Sequence, residues 1–346
     1  MNKNLSKHEA GGFRRLAAKP ESLTFVIMVV VLAALLISSE NFRDAGYIVK
    51  AASRYVEFGL VALAMTYVII SGMIDLSVAS AMALCATVTG WAFTHWGFPM
   101  GAGIALGIVL GAVLGLLNGI LIAKGRIQPM IVTIGTMSLY RGIAQIMIGD
   151  ESLGKFPDWF NSVDKAYLFQ IGPVKVSITL VLFTAAAVVM LLLLKYTSIG
   201  RKVYAIGTNE KAALYSGVNT SRFKVGLMVL SGVFSALAGI MTMSRLLVVR
   251  YDMATGGELD VITIVLLGGA SINGGKGSIL GTIFGWLTIV FVKSGMSVAG
   301  IDADLQTFIM GALLLFSIVL PQIVSMIRAR RIEKQAHTDA QRMAAH

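Results

Sequence analysis

Apolar residues in this chain fall in long runs separated by short polar connections, and a bilayer crossing needs about 20 mostly apolar residues. In order, the runs are Ser22 to Ser38, Phe58 to Ile74, Leu76 to Trp96, Pro99 to Ala123, Ile127 to Gly149, Val176 to Leu194 and Val225 to Ser244. A short one at Leu259 to Ser271 follows, then Ser278 to Met296 and Leu305 to Ile327. The stretch from Leu76 to Ala123 holds no charge and is too long for one crossing; His95-Trp96-Gly97-Phe98-Pro99 supplies the turn and an interfacial aromatic cluster. The pattern predicts an all-α polytopic membrane protein of about ten helices. Residues 22–327 form one transmembrane domain, preceded by a cytoplasmic segment, 1–21, and followed by a basic cytoplasmic tail, 328–346.

Composition sharpens this. Only 14% of the 346 residues are charged, against roughly 25% in a soluble domain, which excludes a soluble enzyme. The 29 Lys and Arg outnumber the 18 Asp and Glu for a net charge of +11. With the N-terminus inside, alternate connections divide them into 19 cations and 5 acids on the cytoplasmic side, against 9 cations and 12 acids outside. Positive charge accumulates inside, so both termini are predicted cytoplasmic. The short eighth run must cross to keep Lys276 and the tail inside. Its Gly268-Gly269 and Gly274-Gly275 pairs predict a short or broken helix lined by protein. A cleaved signal peptide is the weaker reading of the first run, which is long for an h-region and lacks a following A-x-A-like site.

Few residues carry chemistry. The single cysteine, Cys85, and four histidines offer no metal set, and no paired carboxylates, His cluster or Ser-His arrangement suggests a catalytic residue. Gly103, Gly107, Gly111, Gly115 and Gly119 recur every fourth residue and mark a helix-packing face. Asp75, between two apolar runs, is either a helix cap accepting the N–H of Ser77 or Val78, or a solute or proton contact. Arg141 reads as the one cation inside a span and is expected to face the bundle interior, paired with an acid or with backbone carbonyls. In the cytoplasmic connection 195–224, Asn209 is a natural N-cap, Glu210 suits a first turn, Gly217 a stop, and small Ala212 and Ala213 suit a groove on a cytosolic partner. Gly274-Gly275-Lys276-Gly277 is not a phosphate loop, because Ala270 and Gly277 stand where glycine and Ser or Thr are required.

The order and spacing of several segments resemble the permease subunits of bacterial ABC importers of the ribose, xylose, rhamnose and autoinducer-2 group, related to branched-chain amino-acid permeases. They are Ile74-Asp75-Leu76-Ser77-Val78, Asn118-Gly119, Ile134-Gly135-Thr136 with Tyr140-Arg141-Gly142, Gly200-Arg201 with Ala205 to Glu210 and Ser216-Gly217, Gly257 to Asp260, Leu267 to Ser271 and Gly274 to Gly277. The chain departs from the family at Met73 and Ala79, where glycines are commoner. The resemblance implies a type II-like importer permease with a five-plus-five inverted repeat, in the bacterial inner membrane. It implies a homo- or heterodimeric partner permease, two separate ABC ATPases that bind ATP and Mg, and a periplasmic or lipid-anchored binding protein. No cofactor is expected on this chain. Gly207, Asn209, Glu210, Ala212, Ala213 and Gly217 match the family's ATPase-coupling segment, and Asp75, Ser77, Asn118, Thr136 and Arg141 are the candidates for lining a path for a small polar solute, sugar-like before amino acid. The rivals are an ion-coupled secondary transporter, which would want more intramembrane acids than Asp75, and a channel or scaffold.

Overall fold

The computed structural model describes residues 20–163, 166–319 and 323. The predicted N-terminal segment up to residue 19, the basic tail, and the end of the tenth run lie outside the described residues, residue 323 apart. Five helices form the first half: α1 (Pro20–Ser38), α2 (Ala45–Ser53), α3 (Val56–Ile70), α4 (Val78–Thr94) and α5 (Met100–Ala123). Then come α6 (Pro129–Ile148), a one-turn α7 (Asp158–Asn161), a hairpin of β1 (Tyr167–Ile171) and β2 (Val174–Ser177), and α8 (Ile178–Tyr196). The rest is α9 (Ser198–Thr208), α10 (Glu210–Tyr215), α11 (Thr220–Leu246), α12 (Gly257–Leu267), α13 (Ile279–Val298) and α14 (Ala303–Val319).

Among the described residues, six helices are long and apolar enough to cross a membrane: α1, α5, α6, α8, α11 and α13. The pair α2 and α3, bent by 60°, makes a seventh if taken as one span, and α4 and α14 are shorter apolar helices. Two helices are too short to cross alone, since 15 residues of α3 and 11 of α12 reach only about 22 and 17 Å at about 1.5 Å per residue. The run Phe58 to Ile74 becomes a helix that stops at Ile70.

Both short helices end in the same device. After α3, Gly72 takes φ +81°, its N–H donates to Ile69 O at 2.9 Å, and Met73 N–H reaches back to Val68 O at 3.1 Å. After α12, Gly269 takes φ +87°, with Gly269 N–H to Leu266 O at 2.9 Å and Ala270 N–H to Val265 O at 3.2 Å. Left-handed glycine caps satisfy the carbonyls that a helix end leaves open. The loop after α12 returns to the first stop: Gly275 N–H donates to Ile70 O at 2.8 Å. The glycine-rich run that imitates a phosphate loop therefore closes the end of α3.

The core is built around α3, in which every residue but Phe58 is buried. Helices α11, α12, α8 and α13 surround it, and α1 lies outside against α13 through the Phe25–Phe284 ring contact. Most of α1 is exposed and apolar, as a lipid-facing helix requires. The periodic glycines of α5 divide their work. A Cβ at Gly103 or Gly107 would strike Thr89 of α4; one at Gly111, Gly115 or Gly119 would strike Gly232, Met228 or Val225 of α11. Ala236 Cβ would stand 2.6 Å from a Cβ at Gly111, so α5 and α11 pack with their backbones almost in contact.

Two elements escaped sequence reading. The connection between α7 and α8 carries the β1–β2 hairpin, turned by Gly172 at φ +58° and Pro173, in register from Phe169 opposite Val176 to Ile171 opposite Val174. Lys293, inside α13, is a second cation within a span, and it pairs with Asp260 of α12.

Replacing Gly115 by Val is expected to destabilise the protein by about 1–3 kcal/mol or more through overpacking, whereas Gly135→Ala on α6, where nothing lies within 4 Å of an added Cβ, is tolerated. Melting temperatures of the two purified variants in detergent test this; equal values would contradict the close α5–α11 crossing.

Candidate functional site

Asp75 sits in the non-helical link between α3 and α4, and its carboxylate is fully engaged. Oδ1 accepts from Ser77 N–H at 2.9 Å and Ser77 Oγ at 2.6 Å; Oδ2 accepts from Ser231 Oγ of α11 at 2.8 Å. The bond to Ser77 N–H makes an Asx turn that leads the chain into α4, while Ser77 occupies the cap position itself without a side-chain cap bond. Ser77 Oγ in turn accepts from Asn118 Nδ2 at 2.9 Å, and Tyr140 Oη lies 3.1 Å from Asn118 Oδ1 and 3.0 Å from Leu114 O. A polar chain thus runs from α11 through the α3–α4 link and α5 to α6.

This chain is sealed. Asp75 is 2% exposed, Ser77, Asn118 and Tyr140 1%, and Ser231 is inaccessible. Of the five path candidates, Asp75, Ser77 and Asn118 are brought together; Thr136 is buried nearby but returns its hydroxyl to Val132 O at 3.0 Å. Arg141 is elsewhere. Its Nη1 donates to Tyr251 O at 2.5 Å and Met253 O at 2.8 Å, tying α6 to the loop between α11 and α12. In the same loop the Arg250 guanidinium bonds Asp252 at 2.9 Å and holds its carboxyl below the usual range. Ser231 and Tyr140 carry no charge and stand far from Asp75 in sequence, so only the fold reveals them.

Charges missed by the sequence reading gather where α3 and α12 begin and α11 and α13 end. Glu57 of α3 meets Arg245 of α11 at 2.5 Å. Lys293 pairs with Asp260 and lies 5.9 and 5.7 Å from the ring centres of Tyr55 and Phe58, an arrangement in which ring faces attract the ammonium.

At the other end, α9 and α10 fill most of the 195–224 connection. Asn209 Oδ1 accepts from Ala212 N–H at 3.0 Å and starts α10, and Gly217 at φ +84° ends the turn beyond it. Glu210 pairs with Lys224 at 2.6 Å. The six residues singled out here divide into two groups. Asn209, Glu210, Ala212 and Gly217 are exposed, but Ala213 is buried, and a Cβ at Gly207 would collide with Ile70 O and stand 2.6 Å from Gly275 N. Gly207 is therefore the seat of α9 against the stop of α3 and the glycine loop, a seat braced by Tyr204 Oη donating to Gly277 O at 2.7 Å. Two residues outside the singled-out set are the most exposed apolar groups of α10: Leu214 at 55% and Tyr215 at 89%.

The family described as Branched-chain amino acid transport system / permease component matches residues 47–318. The chain is 38% identical over 300 residues to the ribose import permease protein RbsC of Bacillus subtilis (strain 168), covering 86% of this chain and 90% of that one. It is 33% identical over 300 residues to the autoinducer 2 import system permease protein LsrD of Photorhabdus temperata, covering 85% and 88%. LsrD of Escherichia coli (strain K12) gives 33% over 299 residues, covering 85% and 89%. No solved structure matches the chain.

Ser231→Ala removes one of three bonds to Asp75 and is expected to cost about 1–3 kcal/mol of stability without changing apparent solute affinity per folded transporter. Uptake kinetics beside a thermal melt check this; a shifted affinity at unchanged stability would put Asp75 in contact with solute.

Proposed function

Since the chain belongs to the branched-chain amino acid transport system / permease component family, we propose how it works as the membrane permease of a sugar-class ABC importer. The solute is a small polar molecule of the ribose or autoinducer-2 kind, as the names of the relatives suggest. In this reading the chain pairs with a second permease subunit, identical or homologous, receives solute from a binding protein outside the membrane, and sits on two ATPases that bind ATP and Mg. It does no covalent chemistry itself. It lies in the bacterial inner membrane with both termini cytoplasmic, the orientation in which 19 of its cations face inside.

The ten-span, five-plus-five reading gains support from the matched glycine stops of α3 and α12. Inverted repeats commonly place broken helices at corresponding positions.

One observation carries the coupling assignment: α9 packs backbone to backbone on the stop of α3 at Gly207, while the adjoining α10 presents Leu214 and Tyr215 outward. ATP-driven closure of the ATPases would move α10 and α9 together, and the move would reach the α3–α12 junction directly. Asp75, Ser77 and Asn118 then act as a lock between α4, α5 and α11 in the sealed state. Solute reaches them only if the cycle opens that interface.

Ala212→Trp and Tyr215→Ala are expected to weaken ATPase association and abolish ATP-driven uptake in proteoliposomes while membrane insertion survives. Retained association and uptake in both would refute the coupling assignment, and uptake by the permease without any ATPase would sink the importer reading. Ala213→Trp is expected to impair folding first, because that methyl is buried.

A further inference from the structure

The 195–224 connection holds six cations and a single acid, Glu210. That acid is spent on Lys224. Among the described residues, neither the Lys202 nor the Arg222 side chain makes a hydrogen bond or ion pair, yet both line one cavity of about 330 Å³ with Gly217, Val218, Asn219 and Phe223. A volume of this order suits a small ligand or headgroup. Asn219 has committed its Oδ1 to Arg222 N–H at 3.0 Å, which leaves its amide N–H₂ as a donor. The polar lining thus offers an ammonium, a guanidinium and an amide donor, and among the described residues it contains no carboxylate. Both cations are exposed, and an anion seated between them is drawn by both.

The position of the cavity narrows the class of anion. It lies where α9 meets the first turn of α11, a 27-residue apolar helix. Phe223 and Val218 give it an apolar wall continuous with that helix. On α9 the exposed Ile199 adjoins the exposed Arg201 and Lys202, and Tyr196 at the end of α8 is 65% exposed. Cations and exposed apolar groups therefore share one level, at the ends of membrane helices. Basic pockets between membrane helices on the cytoplasmic side hold anionic lipid headgroups. An apolar wall suits an acyl chain better than the carboxylate of a docked protein.

We propose that Lys202, Arg222 and Asn219 bind the phosphate of an anionic phospholipid of the cytoplasmic leaflet, with an acyl chain laid along Phe223. The site rests on the cytoplasmic orientation given above. Gly217 of the coupling set lines the cavity, so the lipid would sit beside the docked ATPase, which α10 meets through Leu214 and Tyr215.

The test uses the full-length permease in nanodiscs of phosphatidylcholine with a minority of phosphatidylglycerol, and counts retained lipids by native mass spectrometry. Phosphatidylglycerol is expected to be enriched over phosphatidylcholine, and the Lys202→Gln/Arg222→Gln double variant to lose about thirtyfold in that selectivity. Arg201→Gln/Lys211→Gln, which alters cations outside the cavity lining, is expected to leave it unchanged. Equal loss in both double variants would reduce the effect to general surface charge and overturn the site. Millimolar inorganic phosphate that abolishes the enrichment would assign the pocket to a free anion and overturn the lipid proposal. Unchanged lipid selectivity with lost ATPase association would assign it to the ATPase instead. Cysteine accessibility at Ser198 from the cytoplasmic side checks orientation separately, so a failure there is distinguishable from an empty pocket.

Discussion

A backbone carbonyl or amide left open in hydrocarbon costs several kcal/mol, and α3 and α12 are each too short to cross alone. Each must find partners for its last turn within the protein. The solution is glycine: left-handed caps at Gly72 and Gly269, and Gly275 N–H closing on Ile70 O. Once those stops are fixed, the neighbours have little freedom. Helices α8, α11 and α13 pack around α3 and α12, the glycine loop must return to α3, and α9 must come close enough for Gly207 to seat there.

The polar chain from Ser231 to Tyr140 is a second result of the same break. Ending α3 at Ile70 leaves a non-helical link inside the bundle, and that link brings Asp75 to face α11. A buried carboxylate with three donors is tolerable where one without them is not. Two ion pairs, Glu57 with Arg245 and Asp260 with Lys293, join the starts of α3 and α12 to the ends of α11 and α13. Each broken helix is thus held by an ion pair at one end and by glycine caps at the other.

Much of this was legible in the sequence because apolar runs and glycine spacing report directly on burial and approach. Among the described residues the runs fall on helices, six of them long enough to cross, Gly103 through Gly119 lie on packed faces, Asn209 and Gly217 bound a helix turn, and the glycine pairs near Gly268 sit in a broken region. The parts that stayed hidden depend on long-range pairing. Ser231 meets Asp75 across 156 positions and Tyr67 Oη reaches Met190 O across 123, and no local pattern announces either. Lys293 was overlooked because one cation in a long apolar run barely perturbs it, and its partner Asp260 lies on another helix. The hairpin at 167–177 is short and exposed, so it leaves no periodicity of burial to read. Gly207 and Ala213 fall in the coupling set by resemblance, and sequence marks a small side chain without telling which side of a helix is crowded.

Side chains absorb small displacements by changing rotamer, but the contacts joining Gly207 to Ile70 O and to the loop at Gly275 have no side chain between them. That junction has no compliance. A shift of α9 by even a fraction of an ångström must be taken up by the buried end of α3 or by the half-buried loop after α12. A helix of 11 residues at the surface can thereby act as a rigid lever whose fulcrum is bare main chain, and the stroke it delivers is set by backbone geometry and not by the chemistry of any one residue.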